Sequence, residues 1–167
     1  MAQVTERVTR VDIGIPTEKC EGIIRILNTL LSDEYVLYTK VKNYHWNVYG
    51  KNFNELHEFF GSLYEEIDVI VDKLAERVRF IGGKPYGTLT EFLQNTRLKE
   101  HAGQHPESKK MIKNLLADYE SIIKYTRSDI ETMEHKYKDL GSIEMLTSFL
   151  SMHEKTAWML RSNIEED

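Results

Sequence analysis

Three prolines, Pro16, Pro85 and Pro106, divide the chain into long proline-free stretches. Proline removes a backbone hydrogen-bond donor and clashes with the preceding turn of an α-helix, so long helices form where it is absent. Within these stretches apolar residues recur every three or four positions, and β-branched residues do not alternate with polar ones over any sustained length. The sequence therefore predicts an all-α protein.

Four long helices and one short helix are expected. The first long helix begins near Thr17, its expected N-cap, and ends at Tyr49-Gly50, and the second runs from near Asn52 to Gly82-Gly83. A short helix covers residues 88–96, and the third long helix follows Pro106, with Ser108 as its cap, and reaches Tyr137. Gly141-Ser142 separates the third long helix from the fourth, which ends near Ile164. Four long helices with a long connection between the second and third are typical of the ferritin-like four-helix bundle. We expect residues 1–167 to form a single domain, with residues 1–15 as a flexible N-terminal tail.

Composition narrows the functional classes. Of 167 residues, 41% are apolar, which is enough for a folded core, and no apolar run approaches the roughly 18 residues that span a bilayer. The net charge is −5, so the basic footprint of a typical nucleic-acid-binding protein is missing. Cys20 is the single cysteine, which excludes intrachain disulfides and Cys-based zinc sites. The first fifteen residues contain no signal-like apolar segment. The single cysteine fits a reducing cytoplasm, which is the expected compartment, and is also compatible with other compartments.

The histidines do not show the spacing of a metal centre built inside one bundle. Di-iron bundles carry Glu-x-x-His motifs on two helices. The residues three positions before the six histidines are Lys42, Asn54, Leu98, Ala102, Thr132 and Leu150. No Glu-x-x-His motif occurs, so a di-iron centre within a single bundle is not expected.

A different set of ligands lies on the first two helices. His45 is in the last turn of the first helix, and His57 is near the start of the second. Asp72 and Glu76 follow on the second helix, four residues apart and therefore on one face. Imidazole and carboxylate ligands suit iron in a redox role, and zinc or manganese would also bind them.

The distance along the second helix decides how such a site is assembled. His57 and Asp72 are fifteen residues apart, which is about 22 Å at the helical rise. They cannot bind one metal ion within one chain. If two copies of this helix pack antiparallel about a twofold axis, His57 of one subunit meets Asp72 and Glu76 of the other, which makes two equivalent sites.

Each of these residues also has an ordinary structural interpretation. A histidine at a helix end is often a cap or a packed side chain, and Asp72 and Glu76 could belong to a solvated face next to Lys73 and Arg77. His153 occupies a core-facing position in the last helix, which predicts a hydrogen-bonded interior histidine. The spacing alone leaves these alternatives open.

The motifs resemble those of the Dps family, the mini-ferritins. The resemblance is carried by Lys42-Asn43-Tyr44-His45-Trp46-Asn47-Val48-Tyr49-Gly50, Asn52-Phe53, Leu56-His57-Glu58, Asp72-Lys73-Leu74-Ala75-Glu76-Arg77 and Gly82-Gly83. It extends to Trp158 and Ser162-Asn163-Ile164, and so covers most of the chain.

The resemblance implies a hollow dodecamer that oxidises Fe(II) at twofold interfaces, preferably with hydrogen peroxide, and stores Fe(III) mineral as a protection against oxidative stress. His45 and His57 match the family's ligands from one subunit, and Asp72 and Glu76 match those from its partner. Trp46 matches a family aromatic beside the centre, where it could intercept a radical or simply pack.

One position departs from the family pattern. Four residues after its second histidine the family usually has Asp, whereas this chain has Gly61. The site loses a charge, and glycine also weakens a helix by about 1 kcal/mol relative to alanine. Asp68 and Glu65 are candidate substitutes. Two functional classes follow: a working ferroxidase with a weakened second iron position, or a non-catalytic cage that holds iron or associates with DNA.

Acidic residues near the last helix and the charges of the two chain ends bear on iron entry and DNA binding. By resemblance, Asp139 and Glu144 could line a threefold pore, and ordinary helix-end charge is the equally weighted alternative. The tail charges of residues 1–19 cancel, and the chain finishes with Glu165-Glu166-Asp167. We therefore expect DNA binding to be weak or absent at neutral pH and physiological salt.

Overall fold

The computed structural model describes residues 11–164, which form helices and connecting loops. The helices are α1 (Thr17–Asn47), α2 (Phe53–Phe80), α3 (Leu89–Asn95), α4 (Ser108–Thr132) and α5 (Leu140–Ser162), with a π-helical turn at Met133–Tyr137 between α4 and α5. No strand occurs within this range. The predicted all-α fold is confirmed.

Two helical hairpins make the bundle. α1 packs along α2, α4 packs along α5, and α1 also contacts α4. The connection between α2 and α4 spans residues 81–107 and carries α3, which lies against α1. This is the predicted ferritin-like arrangement with a short helix in the long crossover.

The core is built from the apolar stripes of the four long helices. Fully buried members include Ile23, Leu27, Leu37, Phe60, Leu74, Leu115, Ile122, Leu146 and Leu160. Burying side chains of this size contributes about 1.5–3 kcal/mol each, which gives each long helix its tertiary stability.

Two predicted N-caps are displaced by one residue. Thr17 and Ser108 are the first helical residues, and Pro16 and Glu107 stand at the cap positions without a side-chain cap hydrogen bond. By contrast, α3 has a full capping box, in which Thr88 accepts from the backbone N–H of Glu91 and the Glu91 carboxylate accepts from that of Thr88. Reciprocal bonds of this kind satisfy two donors at the start of a helix.

The predicted break at Gly141-Ser142 is wrong. The chain turns at Lys138, which adopts the left-handed conformation with φ of 58°, and α5 already includes Gly141 and Ser142. A side-chain network explains the earlier start. Ser142 Oγ donates to Asp139 at 2.5 Å, so the residue before α5 is held by its first turn.

An arginine ties the crossover to the bundle. Arg97 Nε donates to Asp33 of α1 at 2.7 Å, and its Nη1 donates to Asp129 of α4 at 3.0 Å. Burial raises the pKa of Asp33, against the opposing effect of Arg97. The two carboxylates fix the position of the chain as it leaves α3.

None of the helices in residues 11–164 is both long enough and apolar enough to cross a membrane.

Candidate metal centre

Two histidine side chains meet where α1 ends and α2 begins. His45 lies in the last turn of α1, and His57 lies in the second turn of α2, beyond the short link at residues 48–52. Their rings stack with centroids 3.8 Å apart and planes tilted by 21°. Both rings are half-buried. The structure thus brings together two of the predicted ligands.

Each histidine is held by the other's backbone. Nδ1 of His45 is 2.8 Å from the carbonyl oxygen of His57, and Nδ1 of His57 is 2.9 Å from the carbonyl oxygen of His45. The His45 carbonyl is one of the last four of α1, which have no partner within the helix. A carbonyl oxygen can only accept, so both Nδ1 atoms must be donors. In the neutral imidazole this leaves Nε2 of each ring with a free lone pair, the form that binds a metal.

Aromatic side chains surround the two rings. Phe53 stacks on His57 with centroids 5.1 Å apart, and the Tyr64 and His45 rings meet edge to face with centroids 5.2 Å apart. Trp46 points away from the bundle, with 68% of its surface exposed, and its ring lies 5.9 Å from Nζ of Lys42. Trp46 directly follows His45 in the chain, its ring faces solvent, and its role beside the centre stays a prediction.

The predicted carboxylates lie elsewhere on α2. Asp72 and Glu76 are exposed, and together with Asp68 they border a shallow surface depression. Glu65 is also exposed, one turn before Asp68. In the described part of the chain, no three His, Cys, Asp or Glu side chains are grouped so as to hold a metal ion. A single chain therefore supplies a pair of histidines and, separately, a carboxylate surface.

Gly61 is the position where the family pattern is broken. It lies one turn after His57 and next to the His45 ring. The histidine pair therefore has an uncharged gap on the side where a carboxylate was expected.

His153 lies in the core, as its position on the last helix predicts. His153 is 2% exposed, and its Nε2 lies 2.7 Å from Oε1 of Glu34, which is fully buried. The sequence did not predict Glu34 as the partner, because a carboxylate on an otherwise apolar face of α1 does not indicate which side chain it will contact. Burial alone would lower the pKa of His153, but the adjacent Glu34 carboxylate outweighs this and raises it.

The two predicted pore residues have different environments. Asp139 is buried, and its carboxylate accepts from Nη2 of Arg77 at 2.7 and 2.9 Å as well as from Ser142. Its charge is paired within the α4–α5 junction, and its place in a threefold pore stays a prediction. Glu144 is exposed on the first turns of α5 and stays a pore prediction.

A family model and related sequences both match this chain over most of its length. Residues 24–167 match the family model described as the ferritin-like domain. The DNA protection during starvation protein 2 of Bacillus anthracis is 35% identical over 145 residues, covering 86% of this chain and 97% of its own. An uncharacterised low temperature-induced protein of Nostoc is 42% identical over 156 residues, covering 93% of this chain and 87% of its own.

Solved structures of Dps proteins have the same fold as this chain. Dps from Staphylococcus aureus superposes with a TM-score of 0.83 at 35% identity, covering 88% of this chain and 97% of its own. The Dps protein of Vibrio cholerae, described as a member of a broad superfamily of ferritin-like diiron-carboxylate proteins, gives a TM-score of 0.87 at 25% identity, covering 94% and 100%. The chain belongs to the ferritin-like proteins and, among them, to the Dps family.

Proposed function

We propose that this protein oxidises Fe(II), with hydrogen peroxide as the preferred oxidant, and stores the Fe(III) product as mineral inside a hollow dodecamer. The centres would lie at twofold interfaces, and the cytoplasm is the expected compartment. Consuming ferrous iron together with peroxide would protect the cell against oxidative stress.

The reciprocal hydrogen bonds of His45 and His57 carry this proposal. They hold both Nδ1 atoms as donors and leave both Nε2 atoms free to bind a metal. Two half-buried rings fixed in this way are organised for ligation before any metal arrives. A pair of histidines whose only role was to cap the helix ends would not need two matched bonds of this kind.

A second copy of the chain would complete the centre. An antiparallel α2 helix from a partner would bring the partner's Asp72 and Glu76 to these histidines. His57 and Asp72 are about 22 Å apart along one helix, but in an antiparallel pair His57 of one helix lies beside Asp72 of the other. Neutral imidazoles and two carboxylates would balance the charge of a ferrous ion and leave coordination positions open for peroxide. Two ferrous ions would each give one electron to one peroxide molecule, which yields two ferric ions and two hydroxides.

Gly61 favours a second candidate function. With the expected carboxylate missing, the centre has one ligand fewer, and a cage that holds iron without oxidising it rapidly is the alternative. The four other ligand positions are all occupied by the expected residue types, which is why the catalytic function is the one proposed.

The test is anaerobic addition of ferrous iron followed by hydrogen peroxide, with ferric absorbance and peroxide loss recorded together. The variant carries His57→Ala and Asp72→Ala. The matched control carries His105→Ala and Asp12→Ala, both at exposed positions away from the histidine pair. Fast oxidation by wild type and control, and slow oxidation by the site variant, is expected. Equally slow traces from all three would rule out a working centre and favour storage alone.

A further inference from the structure

A row of tyrosines leads away from the histidine pair. The Tyr64 and His45 rings meet edge to face with centroids 5.2 Å apart, and the Tyr64 and Tyr38 rings meet edge to face at 6.2 Å. The centroids of Tyr38 and Tyr35 lie 5.9 Å apart. All three tyrosines are half-buried. These separations are those of aromatic rings in direct contact. The row therefore forms an unbroken path of rings from the candidate centre along the face between α1 and α2.

We propose that Tyr64, Tyr38 and Tyr35 form a redox relay that removes one-electron oxidising equivalents from the candidate centre. This inference rests on the proposed function, because ferrous iron and hydrogen peroxide supply the oxidant. Its role would be to prevent damage to His45 and His57 when peroxide is reduced by one electron instead of two.

The chemistry of the side chains sets the limits of the relay. A phenol is readily oxidised by one electron, whereas the benzene ring of phenylalanine is not. Tyr35 stacks on Phe92 with centroids 4.2 Å apart and planes tilted by 18°. The row of oxidisable rings consequently ends at Tyr35, about 15 Å along α1 from His45.

Lys42 determines which radical the relay can carry. Its Nζ donates to the hydroxyl of Tyr38 at 3.0 Å and lies 5.0 Å from the centroid of the Tyr38 ring and 4.8 Å from that of Tyr64. The hydrogen bond that it donates to Tyr38 raises the pKa of Lys42, so the ammonium stays charged. A cation over an aromatic face is stabilised by the ring electrons and would repel a positive charge on that ring. Tyr38 and Tyr64, when oxidised beside this cation, must then lose the phenolic proton and become neutral phenoxyl radicals.

The steps balance with the reactants of the proposed function. One ferrous ion reduces hydrogen peroxide to hydroxide and a hydroxyl radical, and becomes ferric. The hydroxyl radical takes the phenolic hydrogen of Tyr64, giving water and a phenoxyl radical. Hydrogen-atom equivalents then pass from Tyr38 to Tyr64 and from Tyr35 to Tyr38. A second ferrous ion and a proton restore Tyr35, so two ferrous ions are again consumed per peroxide.

The experiment separates this relay from the ferroxidase itself. Wild type, Tyr64→Phe and Tyr38→Phe are mixed anaerobically with ferrous iron and peroxide, freeze-quenched, and examined for tyrosyl radical by electron paramagnetic resonance, while ferric absorbance is followed in parallel. Each substitution keeps the ring and removes only the oxidisable hydroxyl. Tyr137→Phe is the matched control, since Tyr137 packs against Gly22 near the far end of α1.

A tyrosyl signal in wild type and control is expected. The signal should be lost in Tyr64→Phe and changed in shape in Tyr38→Phe. Hydroxyl-radical spin adducts should rise in both variants, while ferric absorbance forms as in wild type. Ferric product without any tyrosyl signal, or an unchanged signal in Tyr64→Phe, would overturn the relay alone. No ferric product in wild type would overturn the proposed function and the relay with it.

Discussion

Gly61 faces the imidazole of His45 at a distance that leaves room for a side chain. A Cβ at this position would stand 3.5 Å from Cε1 and 3.6 Å from Nδ1 of His45, which is ordinary van der Waals contact. The glycine is therefore not required by packing. Its effect on the candidate centre is the absence of a carboxylate.

Replacing Gly61 by aspartate should strengthen metal binding. We expect Gly61→Asp to raise the affinity for ferrous iron, or the number of irons bound per centre, because it adds a negative charge beside the histidine pair. Anaerobic calorimetric titration with ferrous iron would measure both. Gly61→Ala is the matched control, because it stabilises α2 by about 1 kcal/mol without adding charge. If the alanine variant gained affinity to the same extent, helix stability rather than charge would be the cause.

Mixing two inactive subunits should restore part of the activity. Subunits carrying His57→Ala and subunits carrying Asp72→Ala each lack one half of every centre when assembled alone. In a mixed twofold pair, one centre combines both defects and the other has none. With random assembly about one quarter of the centres are intact. Co-assembly of differently tagged subunits, followed by the peroxide-driven oxidation rate, tests this. No recovery in verified mixed assemblies would argue against a centre shared between subunits.

The buried Glu34–His153 pair should make stability depend on pH in a defined direction. The pKa of His153 is raised by Glu34, so the stabilisation from the pair is fully present below the unfolded-state pKa of about 6.5 and is lost as the pH rises through the folded-state value. The Tyr119 and His153 rings meet edge to face, and Glu66 contributes to the raised pKa of His153.

Glu34→Gln provides the test of that dependence. Without the carboxylate, burial dominates and lowers the pKa of His153, so the variant should lose stability relative to wild type as the pH is lowered. Unfolding midpoints at fixed protein concentration between about pH 5.5 and 8.5 would show a difference that grows toward acid. A difference independent of pH would mean that His153 stays neutral in the wild-type core. His105→Gln, at an exposed site, serves as control.

Asp139 and Glu144 should respond differently to loss of charge. Asp139→Asn removes the ionic partner of Arg77 in a buried junction and is expected to cost about 1–3 kcal/mol of unfolding free energy. Glu144→Gln should leave stability unchanged and slow iron uptake if it lines an entry pore. Denaturant unfolding and the rate of mineral formation, measured on both variants, separate the two roles. Unaltered uptake in Glu144→Gln would remove the pore assignment.

DNA binding should be weak or absent. The basic residues among positions 1–19 are balanced by acidic ones: Arg7, Arg10 and Lys19 against Glu6, Asp12 and Glu18. Residues 1–10 and 165–167 lie outside the described residues, so this prediction rests on their sequence. A gel shift at low micromolar protein in about 0.15 M salt is the measurement, because salt competes with phosphate contacts. Clear retardation there would contradict the charge argument.

Much of the fold was predictable because helical periodicity and proline placement act locally. The α1–α2 link, the crossover and the short helix α3 all fall where the sequence predicted them. The α4–α5 junction did not, since the turn at Lys138 depends on Asp139 meeting Arg77, a residue 62 positions away in the chain. Gly141 predicted a helix break at its own position, but with Asp139 paired to Arg77 the break lies three residues earlier, at Lys138.

The separation of His57 from Asp72 along one helix follows from the sequence by itself, because the rise of an α-helix is constant. The sequence also supplied the ligand types and the missing carboxylate at Gly61. Only the tertiary structure decided that His45 and His57 orient each other, that Glu34 meets His153 in the core, and that the tyrosines of α1 and α2 form one row. Each of these depends on which faces of two helices meet, and packing across the bundle determines that contact.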